Sequence, residues 1–169
     1  MINVLLLAAG KRTELARKLI DKDCRLWAYE SDPYSPIAHY ATLIRGLEFD
    51  NPEMITDLTL NIAFHGIDLV IPCYDNIIPI LAEIKESTNK ISGKIVCSPK
   101  RCAEMCFNKE LFEKFMIERF PEYYPSVNSY GDIIAKLKFG CGSKGIKIYT
   151  EEEARNSKRS DDYIYQKFV

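Results

Sequence analysis

Apolar and polar residues follow two different rhythms along the chain, and the change of rhythm divides it. Over the first hundred residues, short apolar runs of β type are separated by stretches with helical spacing, the pattern of stacked βαβ units around a parallel sheet. INVLLLA at 2–8 predicts a buried strand, RLWAYES at 25–31 a second, ATLIRG at 41–46 a short third, IDLVIP at 67–72 a fourth and GKIVCS at 93–98 a last. Between them, Leu15, Leu19 and Ile20 predict one helix, Met54, Leu58 and Ile62 a second over 52–65, and the run from Asp75 to Glu86 a third. Pro33 and Pro36 interrupt the loop before the third strand.

From about residue 99 the character changes. Asn108 is placed to cap a helix in NKELFEKFMIERF, with Leu111, Phe112, Phe115 and Met116 forming a broad apolar stripe. Strict alternation follows: Ile133, Ala135, Leu137 and Phe139 point one way, and Ile134, Lys136 and Lys138 the other. A glycine-rich loop leads into IKIY, with Ile146 and Ile148 in phase. Thr150 and Glu153 then form a capping box for a short helix, and DYIYQKFV closes as a strand. The expected fold is an α/β, Rossmann-like parallel-sheet domain over residues 1–98, followed by a partial α+β unit over 99–169. Because the last strand has no turn or polar tail after it, the sequence also reads as a fragment.

Composition adds limits to this picture. With 169 residues and 47% hydrophobic content, the chain is expected to fold around a core. Its 23 basic and 24 acidic residues exclude a general nucleic-acid coat or a polybasic membrane anchor, so any anion site must come from local clustering. No stretch approaches the roughly 18 apolar residues of a spanning helix. The N-terminal apolar run has no basic segment ahead of it. The expectation is a cytoplasmic protein that binds neither nucleic acid nor membrane. Cys24, Cys73, Cys97, Cys102, Cys106 and Cys141 show no metal-ligand spacing and read as free thiols.

Residues 136–149, KLKFGCGSKGIKIY, hold four lysines and three glycines with no acid. Lys136 and Lys138 share a strand face, roughly 7 Å apart along the strand. The loop of Gly140, Cys141, Gly142, Ser143, Lys144 and Gly145 offers backbone N–H groups and a hydroxyl to an anion. A P-loop is excluded, because Ile146 and Lys147 stand where Lys and Ser/Thr are required and no helix begins there. A solvated, lysine-decorated hairpin is the alternative on these residues alone.

AKLKFGCGSKGI resembles the phosphate-binding hairpin of the ATP-grasp ligases, in particular their carbamoyl-phosphate-synthase-like members, with Leu137 where that family commonly has proline. DLVIPCYDNIIPILAE resembles the last part of a pre-ATP-grasp domain, CFNKELFEKF the start of the first ATP-grasp subdomain, and YIYQKFV the strand entering the adenine hinge. The resemblance implies an ATP-dependent carboxylate–amine ligase working through an acyl phosphate. It places Lys109, Lys136, Lys138, Gly140, Gly142, Ser143, Lys144 and Gly145 at the nucleotide phosphates, and Gln166, Lys167 and Val169 at the adenine. Lys167 replaces an acidic residue common at its position. ATP and Mg²⁺ are the implied cofactors, with the metal ligands beyond this chain. A small-molecule carboxylate is the implied substrate, a homodimer a possible assembly, and the fragment alone is expected to be inactive.

Asp75 is the candidate on the substrate side, since it follows a parallel strand at the end where open α/β sheets bind ligands; its other reading is a plain helix cap. Two further readings stand beside the ligase. One is a non-catalytic α/β ligand-binding or interaction module. The other is an NAD-binding domain centred on Gly10, with Glu30 or Asp32 as the ribose acid, although two of the three fingerprint glycines are missing.

Overall fold

The computed structural model describes residues 1–87, 94–123, 131–140 and 142–168. They form two compact units, Met1–Ala103 and Glu104–Val169. In the first unit, β1 (Ile2–Leu7), β2 (Cys24–Glu30), β3 (Thr42–Arg45) and β4 (Leu69–Pro72) make a parallel sheet in the order β3-β2-β1-β4. The apolar run of β1 fits its central place, because a strand covered on both faces has no polar side. Leu5 and Leu7 enter one core with Trp27, Tyr29, Met54, Leu58, Ile62 and Leu81. Val4 and Leu6 enter the opposite core with Ala16, Leu26, Ala28 and Ile37. The helices α1 (Thr13–Ile20), α2 (Met54–Phe64) and α3 (Ile78–Ser87) supply the covering residues; α2 does so with the expected Met54, Leu58 and Ile62, whereas α1 covers with Ala16 and the partly buried Leu15 and Leu19, and the expected Ile20 is 44% exposed.

Two expectations for this unit change. The strand expected at 93–98 is, among the described residues, a single parallel bridge from Ile95 to Val70, with Ile95 buried in the core; Gly93 lies outside the described residues. Asp75 does not cap its helix. It is the first residue of a 3-10 turn, Asp75–Ile77, ahead of α3, and Tyr74 holds the capping position. The chain tightens into that turn so that Ile77 is buried.

The second unit contains α5 (Lys109–Arg119), β5 (Ile133–Leu137), β6 (Lys147–Tyr149), α6 (Glu151–Asn156) and β7 (Tyr163–Lys167), with an antiparallel sheet ordered β6-β5-β7. A further helix, α4 (Lys100–Phe107), was not expected from the sequence: it buries only Ala103 and so has no stripe to announce it. The apolar stripe expected on α5 is not a core face, since no residue of α5 is buried and Leu111 is 45% exposed. Ile146 and Ile148 are likewise exposed. The capping box on α6 forms as expected, with the Glu153 backbone N–H donating to Thr150 and Thr150 donating back to the Glu153 carboxylate. No helix among the described residues is long and apolar enough to cross a membrane.

A part-buried polar cluster ties β2 to α2 and to the segment after β3. The Tyr29 hydroxyl donates to Asp57 at 2.6 Å and accepts from the Leu47 N–H at 2.9 Å. Burial, and then the Asp57 carboxylate, push the phenol pKa up, so the ring stays neutral. Gly46 passes against that ring: a Cβ there would lie 2.2 Å from Tyr29 Cε1. Gly46→Ala must therefore move the tyrosine, at an expected cost of about 1–3 kcal/mol or more. Urea unfolding of the chain measures it, and a loss below 0.5 kcal/mol (roughly the spread of a neutral surface change) would show that the ring is not held.

Candidate functional site

The site grows from the junction of α5 and β5. Asn108 has extended backbone, and its side-chain oxygen accepts from the N–H groups of Glu110 and Leu111, so the helix begins at Lys109 as its sequence predicts. Lys109 is then bonded twice to the strand and its loop. Its N–H donates to the Lys138 carbonyl at 3.1 Å, and its ammonium donates to the Gly140 carbonyl at 2.6 Å.

Those two bonds lay the first turns of α5 along the lysine face of β5. Directly opposed residues of antiparallel strands share a face. Ile134 faces both Ile148 and Gln166, and Lys136 faces Ile164, so these residues belong to one side of the sheet. Lys136 donates to the Gln166 side-chain oxygen Oε1 at 2.9 Å, and Nε2 of the same side chain donates to Glu113 at 3.0 Å. Lys138 pairs with Glu110 at 2.9 Å, and the other oxygen of that carboxylate takes Lys114 at 3.0 Å. A groove of about 300 Å³ opens beside this pair, lined by Glu110, Glu113, Lys138, Arg159, Tyr163 and Tyr165.

The loop after β5 turns in left-handed backbone. Gly142, Ser143 and Gly145 have φ of 63°, 57° and 73°. Glycine adopts this region freely, whereas Ser143 is one of three non-glycine residues there among the described residues. At Gly145 space is also short, because a Cβ would fall 2.6 Å from Leu137 Cδ1. Leu137, where the resembling family commonly has proline, thus lies across the base of the loop.

The structure therefore brings Lys109, Lys138 and Gly140 into one bonded group and Lys136 and Gln166 into a second, both against α5. Ser143 and Lys144 stand exposed on the loop, and Lys167 is exposed at the end of β7. Val169 and Cys141 lie outside the described residues. Asp75 belongs to the first unit, where it is exposed after β4. Sequence reasoning missed Glu110 and Glu113, because an acid in a first helical turn, as Glu110 is, is explained by the helix dipole alone, Glu113 beyond it reads as a solvated helix residue, and their lysine and glutamine partners lie far along the chain.

At the turn after β1, Glu30 accepts from the Gly10 N–H at 2.9 Å, while the Gly10 carbonyl accepts from Ser35 Oγ and the Ile37 N–H. Burial raises the Glu30 pKa, and the N–H donors of Gly10 and Ala9 partly offset it. Of the two acids weighed as ribose ligands, Glu30 thus binds its own turn, and Asp32 accepts from the Tyr34 N–H. Cys97 is half-buried, Cys102 and Cys106 are exposed, and all three are free thiols.

No family profile and no curated protein matches the sequence. Solved structures do match in shape. N5-carboxyaminoimidazole ribonucleotide synthetase from Thermotoga maritima superposes with a TM-score of 0.65 at 20% identity, over 100% of this chain and 46% of that one. The fold is that of the amino-terminal half of an ATP-grasp ligase. The Staphylococcus aureus N5-carboxyaminoimidazole synthetase complexed with ADP gives a TM-score of 0.69 at 13% identity, over 99% of this chain and 48% of that one. The biotin carboxylase domain dimer of the Hydrogenobacter thermophilus 2-oxoglutarate carboxylase, in complex with MgADP, ADP and bicarbonate, gives 0.63 at 19% identity, over 100% and 45%. The chain spans just under half the length of each ATP-grasp ligase it matches here.

The pairing of Glu110 carries a pH signature. Lys138 first, and then Lys114, lower the Glu110 pKa below its usual 4.5, while Glu110 raises that of Lys138 above 10.5. A lowered acid stabilises the fold above its unfolded pKa and loses that contribution as pH falls through the folded one. A raised lysine stabilises below its unfolded pKa and loses the contribution as pH rises through the folded one. The pair is expected to stand across neutral pH and to break in acid, below pH 4.5. Carboxylate-carbon NMR of Glu110 checks this: in Lys138→Ala its midpoint moves up toward 4.5.

Proposed function

We propose that this chain supplies the phosphate-cradling side of an ATP-dependent carboxylate–amine ligase. The observation that carries the reading is the gathering of three lysines at one junction: Lys109 is bonded to the Gly140 carbonyl at the start of a loop with left-handed backbone, Lys136 to the Gln166 side chain and Lys138 to Glu110, beside the sheet face that also exposes Ile148 next to Ile134. Cations and loop N–H groups suit a triphosphate, and the adjoining apolar strip suits a nucleobase. The ADP-bound relatives of the same fold favour nucleotide over other polyanions.

In this reading Lys136, Lys138 and Lys109 contact the phosphates, with Gly140, Gly142, Ser143, Lys144 and Gly145 closing over them. Gln166, Lys167 and Val169 border the adenine. A carboxylate oxygen of the substrate attacks the γ-phosphorus, ADP departs with the bonding electrons, and an amine then displaces phosphate from the acyl phosphate. Fixed ammonium groups stabilise the charge that builds on the transferred phosphoryl oxygens without having to reorganise. Asp75 is assigned to the substrate side from its position after β4. A homodimer belongs to the same reading, on the strength of the dimeric Hydrogenobacter relative.

Magnesium would add charge neutralisation on the phosphates. The described residues contain no group of three or more His, Cys, Asp or Glu suited to a metal ion, and Glu110 and Glu113 are already bonded to Lys138 and Gln166. None of these residues is assigned to the metal.

Isothermal titration of the 169-residue chain with ATP tests the proposal. Lys136→Ala, which removes a cation held by a neutral amide, is expected to weaken binding about tenfold, the scale of one charged hydrogen bond. NAD binding that depends on Gly10, with no response to ATP, would overturn the ligase reading.

A further inference from the structure

Lys136 on β5 and Lys138 just after it are not equivalent, and the difference lies in what holds each one. Lys136 rests on the neutral amide of Gln166, and among the described residues it makes no ion pair. Lys138 is paired with a full carboxylate, Glu110, at 2.9 Å. Its side chain is also the more enclosed partner, at 23% exposure against 68% for Lys114, the other cation on that carboxylate.

We propose that Glu110 is a built-in counter-ion that competes with polyphosphate for the Lys138 ammonium, so that ligand and Glu110 exchange on this one lysine. The inference rests on the nucleotide reading and specifies how that site sets its affinity. Three features make the exchange feasible. Glu110 already bonds Lys114 through its second oxygen, a helical i,i+4 pair, so leaving Lys138 does not strand the carboxylate. Its place in the first turn of α5 gives it the helix N-terminus as a further favourable field. And the bonds from Lys109 to the Lys138 and Gly140 carbonyls hold strand and loop in place whichever anion occupies the ammonium.

The consequence is selectivity by charge. A ligand gains from Lys138 only if it outcompetes a carboxylate, so a triphosphate is favoured over a monophosphate by more than Lys136 alone would produce. Glu110 is thus a positioning residue: it acts through Lys138.

The test is a double-mutant cycle on the full chain, with inorganic tripolyphosphate and ATP as probes. Glu110→Gln is expected to tighten tripolyphosphate binding about two- to fivefold, the range of an exposed ion pair. In a Lys138→Ala background the same change is expected to do nothing, which separates competition on one ammonium from a general loss of negative charge. Equal gains in both backgrounds would overturn the inference, as would an unchanged Glu110→Gln alongside a wild type that binds; in either case the nucleotide reading stands. If neither wild type nor Glu110→Gln binds, both fall. Binding by Glu110→Gln alone would support the inference in its strongest form. Thermal unfolding of each variant verifies that α5 persists, and Glu110→Asp, which keeps the charge on a shorter stem, serves where Gln loosens the helix.

Discussion

Lys109 makes the bonds on which the arrangement of the site depends. A main-chain N–H left free at the start of a helix finds the carbonyl of Lys138, and the ammonium of the same residue finds that of Gly140. Two bonds from one residue fix both the height and the rotation of α5 against β5. Glu110 then meets Lys138, and Glu113 meets Gln166, as consequences of helical spacing. Without that anchor Glu110 and Glu113 would be solvated helix residues.

The two units are held by different forces. In the first, β1 is buried on both faces and apolar helices cover the sheet, so the hydrophobic effect supplies most of the stability. In the second, the buried residues among those described are Ile133, Ala135 and Ile164, and much of the visible organisation is polar. Charged groups that hold one another in place remain available to a competing ion, whereas a packed leucine does not. The division therefore suits a rigid sheet in one unit and exchangeable contacts in the other.

The loop after β5 shows the same economy of means. Leu137 lies over Gly145, and the glycine is required both by its left-handed backbone and by the absence of room for a side chain. Leu137 thus serves as an apolar cover on the closing residue of the loop.

Much of this was legible in the sequence because it depends on near neighbours. Alternation along β5, the continuous apolar run of β1, the Asn108 cap and the Thr150–Glu153 box are local matters of period and hydrogen-bonding reach, and each formed, although β5 ends at Leu137, short of the expected Lys138 and Phe139. Locality also explains the failures. The stripe of α5 has helical spacing, but burial needs a covering surface, which spacing does not specify; α4 buries a single alanine and so left no pattern; Asp75 was one residue from a cap and took a 3-10 turn instead. The sequence by itself determined that lysines and glycines gather on one strand and its loop. Only the tertiary structure decided which acceptor each lysine meets, because Lys138 and Glu110, or Lys136 and Gln166, are joined by a sheet and a helix that must both form first.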